Sequence, residues 1–102
     1  MKTHPNRLTF IVPGDLLSTT ADAIRTELTT LLQSADGLET LEIDLRGASM
    51  VDSVGLNLIV WVWKSVRAKG ASLCVRITSA DIERTFRFTR LSSHIEVVRE
   101  PA

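Results

Sequence analysis

Hydrophobic positions along the chain change their period several times, and each change marks an element. Leu8-Thr9-Phe10-Ile11-Val12 is a β-branched and aromatic run that stops at Pro13-Gly14, which predicts a strand followed by a turn. Ser18-Thr19-Thr20 offers an N-cap with Asp22 in the first turn, and Ala21, Ile24, Leu28, Leu31 and Leu32 recur at helical spacing. A helix is expected there, with Gly37 as its stop. Leu41, Ile43 and Leu45 alternate with Glu42 and Asp44, the period-two pattern of a half-buried strand. After Met50-Val51, the chain from Val54 to Lys69 is apolar on most sides, gathers Lys64, Arg67 and Lys69 in its last turns, and meets Gly70 just past its end. That second helix is specified at both ends. Leu73, Val75 and Ile77 give a third strand, and Ser79 can cap a short helix through Ile82 and Phe86 to about Phe88. Ile95-Glu96-Val97-Val98 is expected as a last strand or an extended tail.

Strands alternating with helices imply crossover connections. The expected fold is therefore α/β, a mostly parallel central sheet of four or five strands with three to four helices packed on it. The chain has 102 residues and shows no internal repeat, low-complexity segment or linker, so residues 1–102 are read as one domain. Whether the first seven residues add a strand is open.

Composition narrows the function classes. Twelve Lys plus Arg balance twelve Asp plus Glu, which leaves neither a nucleic-acid footprint nor a polybasic membrane anchor visible in the sequence. No apolar run is long enough to span a bilayer, and the opening residues make a poor signal peptide. With Cys74 the one cysteine, no internal disulfide can form, and a cytoplasmic location is expected. Cys74 reads as a packed residue of the third strand. His4 and His94 lack the flanking acids of a metal site, so no metal or other cofactor is expected. Phe86, Phe88 and Leu91 read as core and rim of the last helix.

The candidate chemistry sits in Met50-Val51-Asp52-Ser53-Val54-Gly55-Leu56, where a short apolar run ends in Asp-Ser and a helix begins. A Ser hydroxyl at a helix start can accept from the free N–H groups of the first turn, and a phosphate there would meet the positive end of the macrodipole. Ser53, Asn57, Trp61 and Lys64 or Ser65 fall on one helix face, and Leu56, Ile59, Val60, Trp63 and Val66 are expected on the core side. Asn57 and Trp61 can extend a surface around Ser53, or Trp61 can pack on a neighbouring helix. Ser53 is no evident nucleophile: a Gly-x-Ser-x-Gly elbow is missing and no His is placed to serve as its base, so an enzyme is not expected.

The chain resembles the STAS domain, in particular the bacterial anti-sigma-factor antagonists. The resemblance rests on Gly14-Asp15-Leu16 after the first strand, Thr20-Ala21-Asp22 opening the first helix, Leu41-Glu42-Ile43-Asp44-Leu45, Lys69-Gly70-Ala71-Ser72-Leu73, and above all Asp52-Ser53-Val54-Gly55-Leu56. It implies a phospho-switch: the unphosphorylated domain binds a partner that is both anti-sigma factor and serine kinase, phosphorylation of Ser53 releases it, and a serine phosphatase resets the switch. Partner contacts are expected from Asp52, Val54 and Gly55 of the motif and, by the shared helix face, from Asn57 and Trp61; the resemblance implies no enzymatic activity, composition implies no nucleic acid and no membrane insertion, and self-association stays open. The alternative is a non-switching STAS scaffold, or a subunit of a signalling or lipid-transport assembly. The chain departs from the family in having Leu17 where an Asp is frequent, Val54 where Ser or Thr is frequent, and Arg90 where a Gly often precedes Leu91; whether Asp15, two residues before Leu17, reaches the site is open.

Overall fold

The computed structural model describes residues 6–101, and the expectations that fall on residues 1–5, including His4, lie outside the described residues. Four strands form one sheet: β1 Arg7–Ile11, β2 Thr40–Leu45, β3 Ser72–Ile77 and β4 Glu96–Arg99. They lie in sequence order and all pair in parallel, with Leu8 opposite Leu41, Leu41 opposite Leu73 and Val75 opposite Val97. The helices α1 Ala21–Gln33, α2 Ser53–Ala68 and α3 Ala80–Phe88 make the crossovers, and a 3₁₀ turn, Leu91–Ser93, leads into β4. A sheet extended in one direction by crossovers of one hand carries its helices on one face. Leu41, Ile43, Leu45, Val75 and Ile77 point into that face and share one core with Ile24, Leu28, Ile59, Val62 and Phe86.

The parallel α/β sheet with its helices is as the sequence predicts, and the last segment pairs as a strand and not a loose tail. Several local expectations change. The first helix ends at Gln33, capped by Ser34, and Gly37 serves the following turn, where its φ of 72° suits a residue without Cβ. The buried stripe of α2 is Gly55, Leu58, Ile59, Val62 and Val66, whereas Leu56, Val60 and Trp63 are only half-buried. So many apolar residues surround this helix that periodicity alone misplaces the stripe by about one position. Leu31 is half-buried beside Leu28 and Leu32, and Phe88, expected at the rim of a core, is 88% exposed.

Glu42 and Asp44 were expected on a wet face, yet they are only 7% and 6% exposed. They stand on the sheet face away from the helices, where β2 has a neighbour on each side and long arginines fold over them. Glu42 accepts from Arg7 Nη2 at 3.0 Å and pairs with Arg76; Asp44 pairs with Arg46 at 2.7 Å; Glu100 holds both Arg46 and Arg76. The Arg46 guanidinium holds the Asp44 carboxyl below the usual carboxylate range. A buried carboxylate is tolerated only when paired in this way.

Arg90 takes φ 64°, the left-handed region, between α3 and the 3₁₀ turn. For a residue with a Cβ that region costs about 1–2 kcal/mol, more than the roughly 0.5–1 kcal/mol of extra chain entropy that a glycine loses. Arg90→Gly is therefore expected to raise the melting temperature, with a gain of about 0.5–1 kcal/mol in chemical denaturation.

Candidate functional site

The candidate site is built where two loops at the C-terminal ends of β1 and β2 run side by side. Leu16, fully buried, forms an isolated parallel bridge with Val51: its N–H donates to the Met50 carbonyl at 3.1 Å and its carbonyl accepts from Asp52 N–H at 3.2 Å. Two carboxylates lock the pair from opposite sides. Asp15 Oδ1 accepts from the N–H groups of Ser49 (2.7 Å) and Met50 (3.2 Å) and from the Ser49 hydroxyl. Asp52 spans the other way, Oδ2 accepting from Ser18 N–H at 2.8 Å and Oδ1 from Gly55 N–H at 2.8 Å. Asp15 thus does reach the loop that leads to Ser53, although it spends its charge on backbone groups.

The contact with Gly55 makes Asp52 the N-cap of α2. Ser53 is the first helical residue, so the reading of Ser53 as an ordinary N-cap is overturned: a cap must stand one residue before the helix, in extended backbone, and Asp52 has that conformation at φ −89°, ψ −176°. Ser53 is exposed, and its hydroxyl makes no hydrogen bond to another described residue. Apolar side chains stand beside it in sequence, Met50 at 57% and Val54 at 44% exposure.

Gly55 is buried. A Cβ at this position would lie 2.9 Å from the Leu16 carbonyl carbon and closer still to its oxygen, so glycine is what lets α2 approach the first loop. It offers a partner no side chain, and its place in the motif is explained by packing. One turn on, Asn57 is exposed and lines a small cleft of about 110 Å³ with Val54, Leu58, Ala21, Asp22 and Arg25. Trp61 is half-buried with the Arg25 guanidinium 4.6 Å above its ring, so it packs toward α1 while keeping one edge in solvent. Asp52, Ser53, Val54, Asn57 and Trp61 therefore share one side of α2, and Arg25, Asp15 and Leu16 complete their surroundings. Asp15 was an open candidate, whereas Leu16 and Arg25 were not legible as site residues, because each meets α2 or its loop only through the tertiary fold.

Hydrogen bonds lower both loop carboxyls from their ordinary values, chiefly from Ser49 N–H for Asp15 and from Gly55 N–H for Asp52. Among the described residues no cluster of three or more His, Cys, Asp or Glu could hold a metal ion, and no helix is long and apolar enough to cross a membrane.

The site is thus a parallel α/β sheet with an Asp-capped, surface-presented serine at the start of its second helix. The STAS domain family matches residues 1–101, and the chain belongs to that family. It is 32% identical over 92 residues, 90% of this chain and 79% of the relative, to the anti-sigma-B factor antagonist of Listeria monocytogenes serovar 1/2a (strain ATCC BAA-679 / EGD-e). It is 31% identical over 98 residues to the anti-sigma-B factor antagonist of Bacillus subtilis (strain 168), covering 95% of this chain and 86% of that one. The unphosphorylated form of the Bacillus anti-sigma factor antagonist SpoIIAA superposes with a TM-score of 0.72 at 15% identity, over 98% of this chain and 86% of that chain, a likeness of fold.

Two outcomes follow from the loop clamp. Gly55→Ala must displace the Leu16 backbone, an overpacking cost of about 1–3 kcal/mol to be read as a lower denaturation midpoint. Asp15 and Asp52, with lowered native values, add stability that is fully present above their unfolded value of about 3.9 and is lost as pH falls through the native one. The Asp15→Asn/Asp52→Asn double variant should therefore melt below the wild type at neutral pH, and the gap should shrink below about pH 4.

Proposed function

We propose that this domain is an anti-sigma-factor antagonist working as a phospho-switch, with Ser53 as phosphoacceptor. The observation that carries the reading is a division of labour at the start of α2: Asp52 caps the helix, Gly55 clears the first loop, and Ser53 between them is exposed with its hydroxyl uncommitted. Relatives named anti-sigma-B factor antagonists support the antagonist part of the reading. In the switch, the unphosphorylated surface around Asp52, Val54, Asn57 and Trp61 docks on an anti-sigma factor that is also a serine kinase. That partner transfers phosphate from its ATP to Ser53, and a serine phosphatase restores the hydroxyl. The domain is substrate and binding module, not catalyst.

Phosphorylation adds about −1.5 to −2 charge and three acceptor oxygens. At the helix N-terminus the exposed dianion gains roughly 0.3–1 kcal/mol from the dipole, while Asp52, already seated on Gly55 N–H, pushes it outward. The fold survives. A docked partner does not tolerate the group, because apolar Met50 and Val54 flank it and closing the interface would desolvate the new charge.

The test uses the serine-kinase anti-sigma factors encoded in the same genome, purified and titrated against the wild type, Ser53→Ala and Ser53→Asp. We expect Ser53→Ala to bind as the wild type and Ser53→Asp to bind at least about tenfold more weakly, equal to about 1.4 kcal/mol. Incubation with the kinase and ATP should add one phosphate to the wild type by intact mass and none to Ser53→Ala. Equal affinities of all three proteins, without phosphate transfer, would instead identify a constitutive scaffold.

A further inference from the structure

The chain is neutral overall, but its cations are not neutralised evenly. Arg7, Arg46, Arg76, Arg84, Arg87 and Arg99 each hold a carboxylate. Among the described residues, Arg25, Lys64, Arg67, Lys69 and Arg90 hold none. Four of these five stand together. Helices α2 and α3 both run antiparallel to the strands, so Lys64, Arg67 and Lys69 at the end of α2, and Arg90 after α3, lie at the pole where the strands begin. The Trp63 ring, stacked on His94 with centroids 4.9 Å apart and covered by Arg67 at 5.4 Å, ties the end of α2 to the 3₁₀ turn that follows Arg90. Residues 53–80 and 84–95 contain neither Asp nor Glu, and the acids at this pole are Asp36 and Glu39 of the connection between α1 and β2, where the Glu39 carbonyl accepts from Ser72 N–H at 2.9 Å. Glu83 pairs with Arg87 and Arg99, and Glu96, in register with Cys74, belongs to the other face of the sheet.

Cations at helix ends serve the macrodipole, but that accounts for none of the aromatic surface beside them. Phe88 closes α3 at 88% exposure, two residues from fully buried Phe86 and hence directed away from the core. The fold gains nothing from it there. The depression lined by Lys64, Arg67 and Ala68 is broad and open, and a second one beside it is lined by Trp63, Arg67, His94 and Glu96.

We propose that this pole, with Lys64, Arg67, Lys69, Arg90 and Phe88, is a peripheral docking surface for an anionic phospholipid membrane. The four unpaired cations meet the lipid phosphates and the Phe88 ring enters the headgroup boundary, with no chain crossing the bilayer. The surface is separate from the switch, since α2 with its 16 residues holds its two ends about 24 Å apart. The inference does not rest on the function proposed for Ser53.

Co-sedimentation with vesicles of phosphatidylglycerol and phosphatidylcholine, and with phosphatidylcholine alone, tests it. The wild type should pellet with the anionic vesicles only, and raised salt should release it. Lys64→Glu/Arg67→Glu should bind about tenfold more weakly or worse, at a small loss of melting temperature from the helix end, and Phe88→Ala several-fold more weakly with an unchanged melting curve. Ser53→Asp should bind vesicles like the wild type. Failure to pellet, equal binding to neutral vesicles, or charge-reversed variants that bind normally would overturn the proposal. So would binding to poly-glutamate without binding to vesicles, which would assign the pole to an acidic protein.

Discussion

The backbone of Leu16 is the wedge on which the site depends. It is held between two loops by one hydrogen bond to Met50 and one from Asp52, and α2 can close over it because position 55 has no Cβ. From that contact the spacing of the motif follows. A cap accepts from the N–H three residues ahead, so the acid must stand at 52 if the glycine stands at 55. The two intervening residues fall at the first two positions of the helix, and both are exposed. Of the four residues Asp-Ser-Val-Gly, the first and last are consumed by the architecture. The side chains of Ser53 and Val54 are left exposed.

Reciprocal carboxylates make the wedge rigid without making it apolar. Asp15 leaves the first loop to satisfy N–H groups of the second, and Asp52 leaves the second to satisfy one in the first. Loop backbone near a core must find such partners or stay in water. Here the partners are side chains whose charges also sit at the positive end of α2, so the same two residues solve a hydrogen-bonding demand and set the local field. The field bears on the hydroxyl that they surround.

Elements with one strong period were legible from the chain. β2, β3 and the amphipathic α3 each show an alternation or a stripe that only one structure satisfies, and Ser79 caps α3 as expected, accepting from Ile82 N–H at 3.2 Å. α2 was legible in extent but not in orientation, because an almost wholly apolar helix gives periodicity little contrast, and its buried side is selected by the Gly55–Leu16 contact. Glu42 and Asp44 misled for another reason: alternation separates the two faces of a strand but does not say whether the polar face is wet. In this sheet Arg7, Arg76 and Arg46 come from other strands and a loop to cover it. The motif Asp52-Ser53-Val54-Gly55 could be located from the residues, whereas the roles of Asp15, Leu16 and Arg25 depend on partners some 30 residues or more away.

Parallel topology also explains why overall neutrality conceals an uneven surface. Each α-helix here begins at one pole and ends at the other, and its own dipole favours acids at the start and bases at the end. Asp22, Asp52 and Asp81 stand at helix starts; Arg67 and Arg87 stand in last turns. Three helices running the same way add these preferences instead of cancelling them, so the helix starts make an acidic end, while the opposite pole takes its bases from α2 and α3 alone, since α1 has none in its last turn and is followed by Asp36 and Glu39. At the acidic end a serine with a free hydroxyl stands beside an aspartate that already occupies the helix cap. A phosphate added there is held by the scaffold's dipole and opposed by the scaffold's own carboxylate, two effects of similar size. Under the proposed switch the free domain would be nearly indifferent to the change, and a partner interface that has to close over the phosphate would not. That difference between the two states, and not any strain in the fold, is what would convert one phosphate into a change of partner.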